Sequence, residues 1–224
     1  MPSVKSTALK TTPSFSQKHQ FWLFLLTAIV LRQLPLVSIP FNWLETYFHE
    51  ISHGIAAILT GGSIVKIELF SNGAGLCTTL GGSRFIVSFS GYAGAVIWGA
   101  MIYVAAKSHQ RLAQVFSFFI ILLLLITLLL WARDALTIFI CLVLLALFLL
   151  SLKTKNLKLL QLLLQFFGMV VLLNSLYSPF YLLDGRSIGD GANLANLTFI
   201  PEFIWVVIWS TMGLTTLYLL AKKS

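Results

Sequence analysis

The sequence has little charge. Asp, Glu, Lys and Arg make up only 10% of its 224 residues, and just seven residues are acidic. Hydrophobic residues make up 58%, and the mean hydropathy is +0.92. A typical soluble domain has about 25% charged residues. The shortage of charge therefore argues against an ordinary soluble fold and indicates a chain that resides in a lipid bilayer.

Cysteine is also scarce. Cys77 and Cys141 lie far apart in different kinds of segment, so the sequence has neither a disulfide framework nor a CxxC metal knuckle. The net charge is +8, but the basic residues lie mostly between and beside apolar stretches, as membrane anchors do. No basic stripe is interleaved with exposed aromatic residues. We therefore expect membrane lipid as a partner, and no nucleic acid.

Long apolar runs are abundant. A helix needs roughly 20 apolar residues to cross about 30 Å of hydrocarbon, and the stretches that approach or exceed this length are 21–39, 43–60, 85–106, 114–131, 135–151, 157–177 and 203–221. We predict a mainly α-helical, polytopic membrane bundle of about six to seven spans. It forms a single membrane-embedded domain over 21–224, after a polar N-terminal tail over 1–20. The sequence does not set an oligomeric state.

The strongest chemical signal is the HExxH segment at 49–53. On a helix, His49 and His53 lie one turn apart on one face, so both imidazoles can reach one zinc ion at about 2.0–2.1 Å. Glu50 can accept a proton from the attacking water and pass it to the leaving amine. A chance match is expected about once in a thousand such chains. The segment therefore predicts a zinc site for peptide-bond hydrolysis, with Glu50 as the catalytic residue.

A short non-helical segment follows this motif. Gly61 and Gly62 should end the helix, and apolar residues then alternate with charged ones over 65–69. A turn at 71–73 and a return over 76–80 complete a predicted β-hairpin. An exposed edge of the hairpin could hold a substrate in extended form for cleavage. A purely structural flap is the alternative.

Two histidines leave zinc one protein ligand short, because catalytic zinc sites usually take three ligands and a water. Asp184 and Asp190 are the strongest candidates, since both follow the sixth span in a glycine-rich segment that can be non-helical beside a cavity. Asn174 and Tyr177, just upstream, could hydrogen-bond the substrate or the oxyanion of the tetrahedral intermediate. A polar pair that joins two helices is the alternative for them.

The motif and its surroundings resemble a known family. HExxH followed by Gly54, by paired glycines and by a short hairpin is similar to the site-2 protease group of intramembrane zinc metallopeptidases, the M50 peptidases. That group carries an LDG motif on a later span, and 183–185 matches it, with Pro179 at the expected distance. The usual Asn has a counterpart in Asn174, two positions early. This resemblance favours Asp184 as the third zinc ligand.

Further similarity is to the M50B-like branch of small bacterial membrane proteins. It lies at 174–177 and at 189–201, where members of the branch tend to show a Ser-Asp-Ala-like element. This second match keeps Asp190 as the alternative third ligand. The resemblance implies a multi-pass protein of the bacterial cytoplasmic membrane with a Zn2+ cofactor. Its implied substrate is a membrane or membrane-adjacent protein, in some cases one that acts in signalling.

Two other functions compete with an intramembrane zinc metalloprotease. One is a non-catalytic M50-like membrane scaffold or binding protein, but such a protein has no need of Glu50. The other is an ion transporter in which His and Asp side chains form an ion path. Transporters often show paired repeats with broken helices at corresponding positions, and this sequence has none. The metalloprotease is therefore the function that we expect.

Overall fold

The computed structural model describes residues 19–154 and 156–223. These residues are mainly helical and include one β-hairpin. The predicted polar tail over 1–20 lies outside the described residues, apart from its last two positions. In chain order the elements are α1 (Gln20–Arg32), α2 (Pro35–Leu59), β1 (Ser63–Leu69), β2 (Gly75–Leu80), α3 (Arg84–Ser108), α4 (Gln110–Leu130), α5 (Ala135–Lys153), α6 (Leu157–Tyr177), a 3-10 helix (Ser178–Leu183), α7 (Asp190–Thr198) and α8 (Glu202–Lys222).

Most of these helices are long and apolar enough to span a membrane. Within the described residues, α3, α4, α5, α8 and the continuous run of α6 with its 3-10 helix each meet this criterion. The pair α1 and α2 meets it only jointly and is bent by 112°, which gives five spans, or up to six. The prediction of a mainly helical, polytopic bundle with a hairpin is confirmed, and the chain is a multi-pass membrane protein.

The first two predicted spans, 21–39 and 43–60, differ in their bounds from the observed helices. α1 ends at Arg32 and α2 begins at Pro35. Proline disfavours a helical conformation in the residue before it, and Leu34 is accordingly extended, with φ −104° and ψ 93°. Proline is well suited to the first turn of the next helix. The break therefore comes earlier than hydropathy indicates.

The helix that carries the HExxH motif, α2, is the buried centre of the fold. Most of its residues from Leu44 to Ala57 are buried. Phe48 stacks on Trp98 of α3 with ring centroids 5.1 Å apart, and the Tyr47 hydroxyl hydrogen-bonds Thr127 of α4. Packing on several sides fixes the rotation of α2, and with it the direction in which the two histidines point.

Small residues bring α3 close to its neighbours. A Cβ at Gly99 would lie 2.8 Å from the backbone nitrogen of Leu172 on α6. A Cβ at Gly168 of α6 would lie 2.6 Å from the backbone nitrogen of Tyr103. The backbones of α3 and α6 therefore pack directly against each other. By contrast, only a third of the most apolar part of α4 and of α5 is buried.

The hairpin confirms the strand prediction. α2 ends at Leu59, Gly61 has a positive φ of 87°, and β1 then pairs antiparallel with β2. Ile67 lies opposite Cys77 in this pairing. The other edge of β1 is covered by the turn after α4, because the Ile67 N–H donates to the Trp131 carbonyl at 3.0 Å. The outer edge of β2 has no strand partner within the described residues.

Candidate metal centre

Three potential metal ligands converge from two helices. The Nε2 atoms of His49 and His53 lie 3.0 Å apart. Asp190 Oδ2, from the start of α7, lies 3.1 Å from the first of these nitrogens and 3.2 Å from the second. Ligand atoms at 2.0–2.1 Å from a tetrahedral ion lie about 3.3 Å apart. The three atoms therefore fit a zinc ion with little adjustment, and a tetrahedral ion held by them would have one further position for water.

The ring of His53 is held in the tautomer that suits a ligand. Its Nδ1 lies 2.7 Å from the carbonyl oxygen of Val87 on α3. A carbonyl can only accept, so Nδ1 carries the proton, and in the neutral ring Nε2 keeps its lone pair for a metal ion. His49 packs edge-on against Tyr92, also on α3, with ring centroids 4.4 Å apart. Helix α3 thus orients both histidines.

Gly91 lets α3 approach this closely. A Cβ at that position would lie 2.5 Å from the Nε2 atoms of both His49 and His53. The close approach of α3 to the two histidines therefore requires a residue without a side chain at position 91. The contact joins positions 38 and 42 residues apart in the chain, so the sequence without the fold does not connect Gly91 to the motif.

Asp190 reaches the histidines because of the turn before it. Gly189 has φ 101°, a conformation that favours glycine, and Asp190 then opens α7. The Ala192 backbone N–H donates to the carboxylate of Glu202 on α8. The Glu202 side chain also lies against Gly191, and these two contacts fix the start of α7. Burial opposes ionisation of Asp190, but the nearby histidines outweigh it and hold the pKa of its carboxyl below the usual range.

Glu50 lies beside this cluster, buried between α2 and the hairpin. A Cβ at Gly75 of β2 would overlap its carboxylate, so the missing side chain makes room for it. The backbone N–H of Cys77 donates to the same carboxylate. The Ile67 N–H donates to the Trp131 carbonyl, so Ile67 and Cys77 form a non-hydrogen-bonded pair of the hairpin. In such a pair the backbone N–H and C=O of Cys77 point away from β1. The outer edge of β2 therefore faces Glu50.

Asp184 lies elsewhere. It follows the 3-10 helix on a partly exposed turn, and its carboxylate accepts bonds from the backbone N–H and the guanidinium of Arg186. These hydrogen bonds hold the pKa of the Asp184 carboxyl below its usual range. The structure brings Asp190, and not Asp184, to the two histidines. The LDG resemblance had favoured Asp184, but the fold places that carboxylate against its own neighbour.

Asn174 and Tyr177 make contacts that join helices. The Asn174 Nδ2 donates to Asn42 Oδ1 at 3.1 Å, which links α6 to α2. The Arg32 guanidinium lies 4.3 Å from the centre of the Tyr177 ring, which links α1 to α6. Neither residue is among the three converging ligands. These contacts are of the kind expected from polar residues that join helices, and the oxyanion role of both residues stays a prediction.

Several residues of the site carried no signal for this role in the sequence. Val87 acts through a backbone carbonyl, which any residue type could supply. Gly75, Tyr92 and Glu202 matter through contacts between elements that are distant in the chain. The sequence of α3 offers one hint, because Gly91, Gly94, Ala95 and Gly99 are small residues of the kind that let helices approach closely.

Comparison with known proteins gives a family match over most of the chain. A model of the Peptidase M50B-like family matches residues 22–220, a range that includes both histidines, Glu50 and Asp190. Curated proteins and solved structures gave no match. Because the matched range covers nearly the whole chain, the chain belongs to the Peptidase M50B-like family.

Proposed function

We propose that this protein is an intramembrane zinc metalloprotease that hydrolyses peptide bonds of a membrane or membrane-adjacent protein. The observation that carries the proposal is the convergence of His49, His53 and Asp190, with Glu50 beside them, inside a membrane bundle. Two histidines and a carboxylate are a known ligand set of catalytic zinc. Membership of a peptidase family supports the same reaction. The resemblance to small bacterial proteins supports a place in the bacterial cytoplasmic membrane.

In the proposed mechanism, His49, His53 and Asp190 hold the zinc ion. When bound, zinc supplies a Lewis acid that polarises the peptide carbonyl and lowers the pKa of water toward neutrality. Glu50 takes a proton from the attacking water as the water oxygen bonds to the carbonyl carbon. Glu50 then delivers this proton to the amide nitrogen as the C–N bond breaks. The products are a carboxylic acid and an amine, which ionise to a carboxylate and an ammonium group.

We further propose that the substrate adds as a strand to the outer edge of β2. A helical peptide bond is shielded by its own hydrogen bonds, so cleavage requires an extended segment. The outward-facing backbone of Cys77 supplies a donor and an acceptor at the edge that faces Glu50. Transfer of the Cys77 N–H from Glu50 to a substrate carbonyl would also release the carboxylate for its reaction with water.

The proposed function is tested with Glu50→Gln in cells. Membrane protein fragments are quantified by N-terminal proteomics in cells that express the wild type, Glu50→Gln or Glu45→Gln. Glu45 is a matched control, because it is a second buried glutamate in α2 and is hydrogen-bonded by Ser178. Fragments should disappear with Glu50→Gln and persist with Glu45→Gln. Identical fragments in the wild type and in Glu50→Gln would contradict a protease.

A further inference from the structure

Helices α3 and α8 touch near their two ends. Close to the metal centre, the indole N–H of Trp209 donates to the Phe89 carbonyl at 3.2 Å. Toward the other end, Lys107 Nζ donates to the Lys223 carbonyl at 3.0 Å. These two contacts show that the helices run in the same direction and enclose a seam between them.

The middle of this seam is an apolar cavity of about 620 Å³. Its wall is open to the outside of the bundle, since Ile97 is 53% and Val207 57% exposed. In a membrane, such a wall meets acyl chains. The lining residues are Val96, Ile97, Ala100, Met101, Val207, Ile208, Thr211, Met212, Thr215 and Thr216.

A second cavity of about 330 Å³ lies one turn further along the same seam. It is lined by Lys107 and Lys223, together with Tyr103, Val104, Ser108 and Leu220. Along α3, Val96 precedes Lys107 by eleven positions, or about 16 Å of helix. That length is close to half of the roughly 30 Å hydrocarbon core, which is the depth of one lipid leaflet.

The end of the bundle that holds the second cavity is basic. The start of α6 also lies there, because Gln161 Nε2 donates to the Ala106 carbonyl. In the part of the chain that the structure describes, this end carries Lys107, Arg111, Lys153, Lys158, Lys222 and Lys223. The acidic residues lie instead in α2, in the hairpin, near the starts of α5, α7 and α8, and in the turn before α7. Among the described residues, the charged side chains at this end of the bundle are therefore basic.

We propose that the seam between α3 and α8 binds one anionic phospholipid. Lys107 and Lys223 hold the phosphate, and an acyl chain fills the apolar cavity. Basic pockets between membrane helices bind lipid head groups in this way. The bound lipid would fasten α8, whose Glu202 contacts the start of α7, against α3. Lipid binding at this site does not depend on proteolysis, so its test is independent of the test of the proposed function.

The test is a lipid titration of the purified full-length protein in detergent, followed by native mass spectrometry. Phosphatidylglycerol and phosphatidylcholine with identical acyl chains are compared. The wild type should bind one phosphatidylglycerol more tightly than phosphatidylcholine. The double variant Lys107→Gln, Lys223→Gln should lose about 30-fold in affinity for phosphatidylglycerol, or about fivefold per lysine. Glutamine is chosen because its amide can still donate to the Lys223 carbonyl.

Two further variants separate the seam from general basic charge. Lys153→Gln with Lys158→Gln removes two lysines from the same end but outside the seam, and should leave the affinity unchanged. Ala100→Phe fills the apolar cavity and should weaken phosphatidylglycerol binding, whereas Leu214→Phe, outside the lining, should not. Equal affinity of the wild type for both lipids, or equal losses in the two lysine pairs, would overturn the proposal. So would equally tight binding of glycerol phosphate without acyl chains.

A photocrosslinker at Met101 identifies the occupant of the seam in the membrane. An adduct with the mass of a phospholipid supports the proposal. An adduct that contains a polypeptide would overturn it, because the seam would then hold a protein segment.

Discussion

The substitution Gly91→Ala tests the packing of the metal centre with one methyl group. The added Cβ would lie 2.5 Å from the Nε2 atoms of both ligand histidines. Carbon and nitrogen atoms normally pack at about 3.5–4.0 Å, so both rings must retreat by about 1 Å or more. Zinc binding requires the rings to return. The strain of overpacking, about 1–3 kcal/mol, therefore falls on the metal-bound form.

This strain converts to a zinc affinity that is about 5- to 150-fold weaker than that of the wild type. The assay is a chelator competition for zinc on the purified protein, combined with thermal unfolding with and without the metal. Gly91→Ala should reduce the stabilisation that zinc confers, while the metal-free protein changes little.

Gly99→Ala is the matched control on the same helix. Its Cβ would meet Leu172 of α6 at 2.8 Å, far from the ligands, so it overpacks the bundle in both the metal-free and the metal-bound form. It should lower the unfolding temperature and leave zinc affinity unchanged. A folded Gly91→Ala protein with wild-type zinc affinity would refute the reasoning, as would an equal loss of affinity in Gly99→Ala.

Two other predictions concern the third ligand and the hairpin. Asp190→Ala should weaken zinc binding by at least about 100-fold, which exceeds the usual effect of losing an outer-shell partner, and Asp184→Ala should leave it unchanged. The measurement is the same chelator competition. Cys77→Pro removes an N–H from the outer edge of β2 without breaking a hydrogen bond to β1, so it should lower proteolysis while zinc remains bound.

A specific result would contradict each of these two predictions. A protein that loses zinc with Asp184→Ala but keeps it with Asp190→Ala would exclude the proposed ligand set. For the hairpin, Cys77→Ala changes the thiol but keeps the backbone N–H, so it should cleave like the wild type. If Cys77→Pro cleaves equally well, the substrate does not pair with this edge.

Local periodicity explains why the motif helix and the hairpin could be predicted. His49 and His53 face one way on any helix, and the alternation over 65–69 indicates a strand in any fold. These features depend on neighbours along the chain. The boundary between the first two spans is also local, but average hydropathy does not show it, because apolar residues stand on both sides of Arg32, Gln33 and Pro35.

The third ligand depends on contacts that no local pattern contains. Asp184 and Asp190 occupy similar glycine-rich sequence, and the LDG match pointed to the first. In the structure, Arg186 engages the carboxylate of Asp184, whereas the positive φ of Gly189 turns the chain so that Asp190 meets the histidines. Which carboxylate reaches the metal centre is decided by how α7 packs against α3 and α8, and a sequence without its fold does not show that packing.

The central claim is that His49, His53 and Asp190 form a zinc site in which Glu50 is not a ligand. Elemental analysis of the purified protein tests it directly, as zinc bound per chain in the wild type, His49→Ala and Glu50→Gln. The account predicts one zinc per chain in the wild type and in Glu50→Gln, and none in His49→Ala. Zinc retained in His49→Ala, or lost in a folded Glu50→Gln protein, would contradict it.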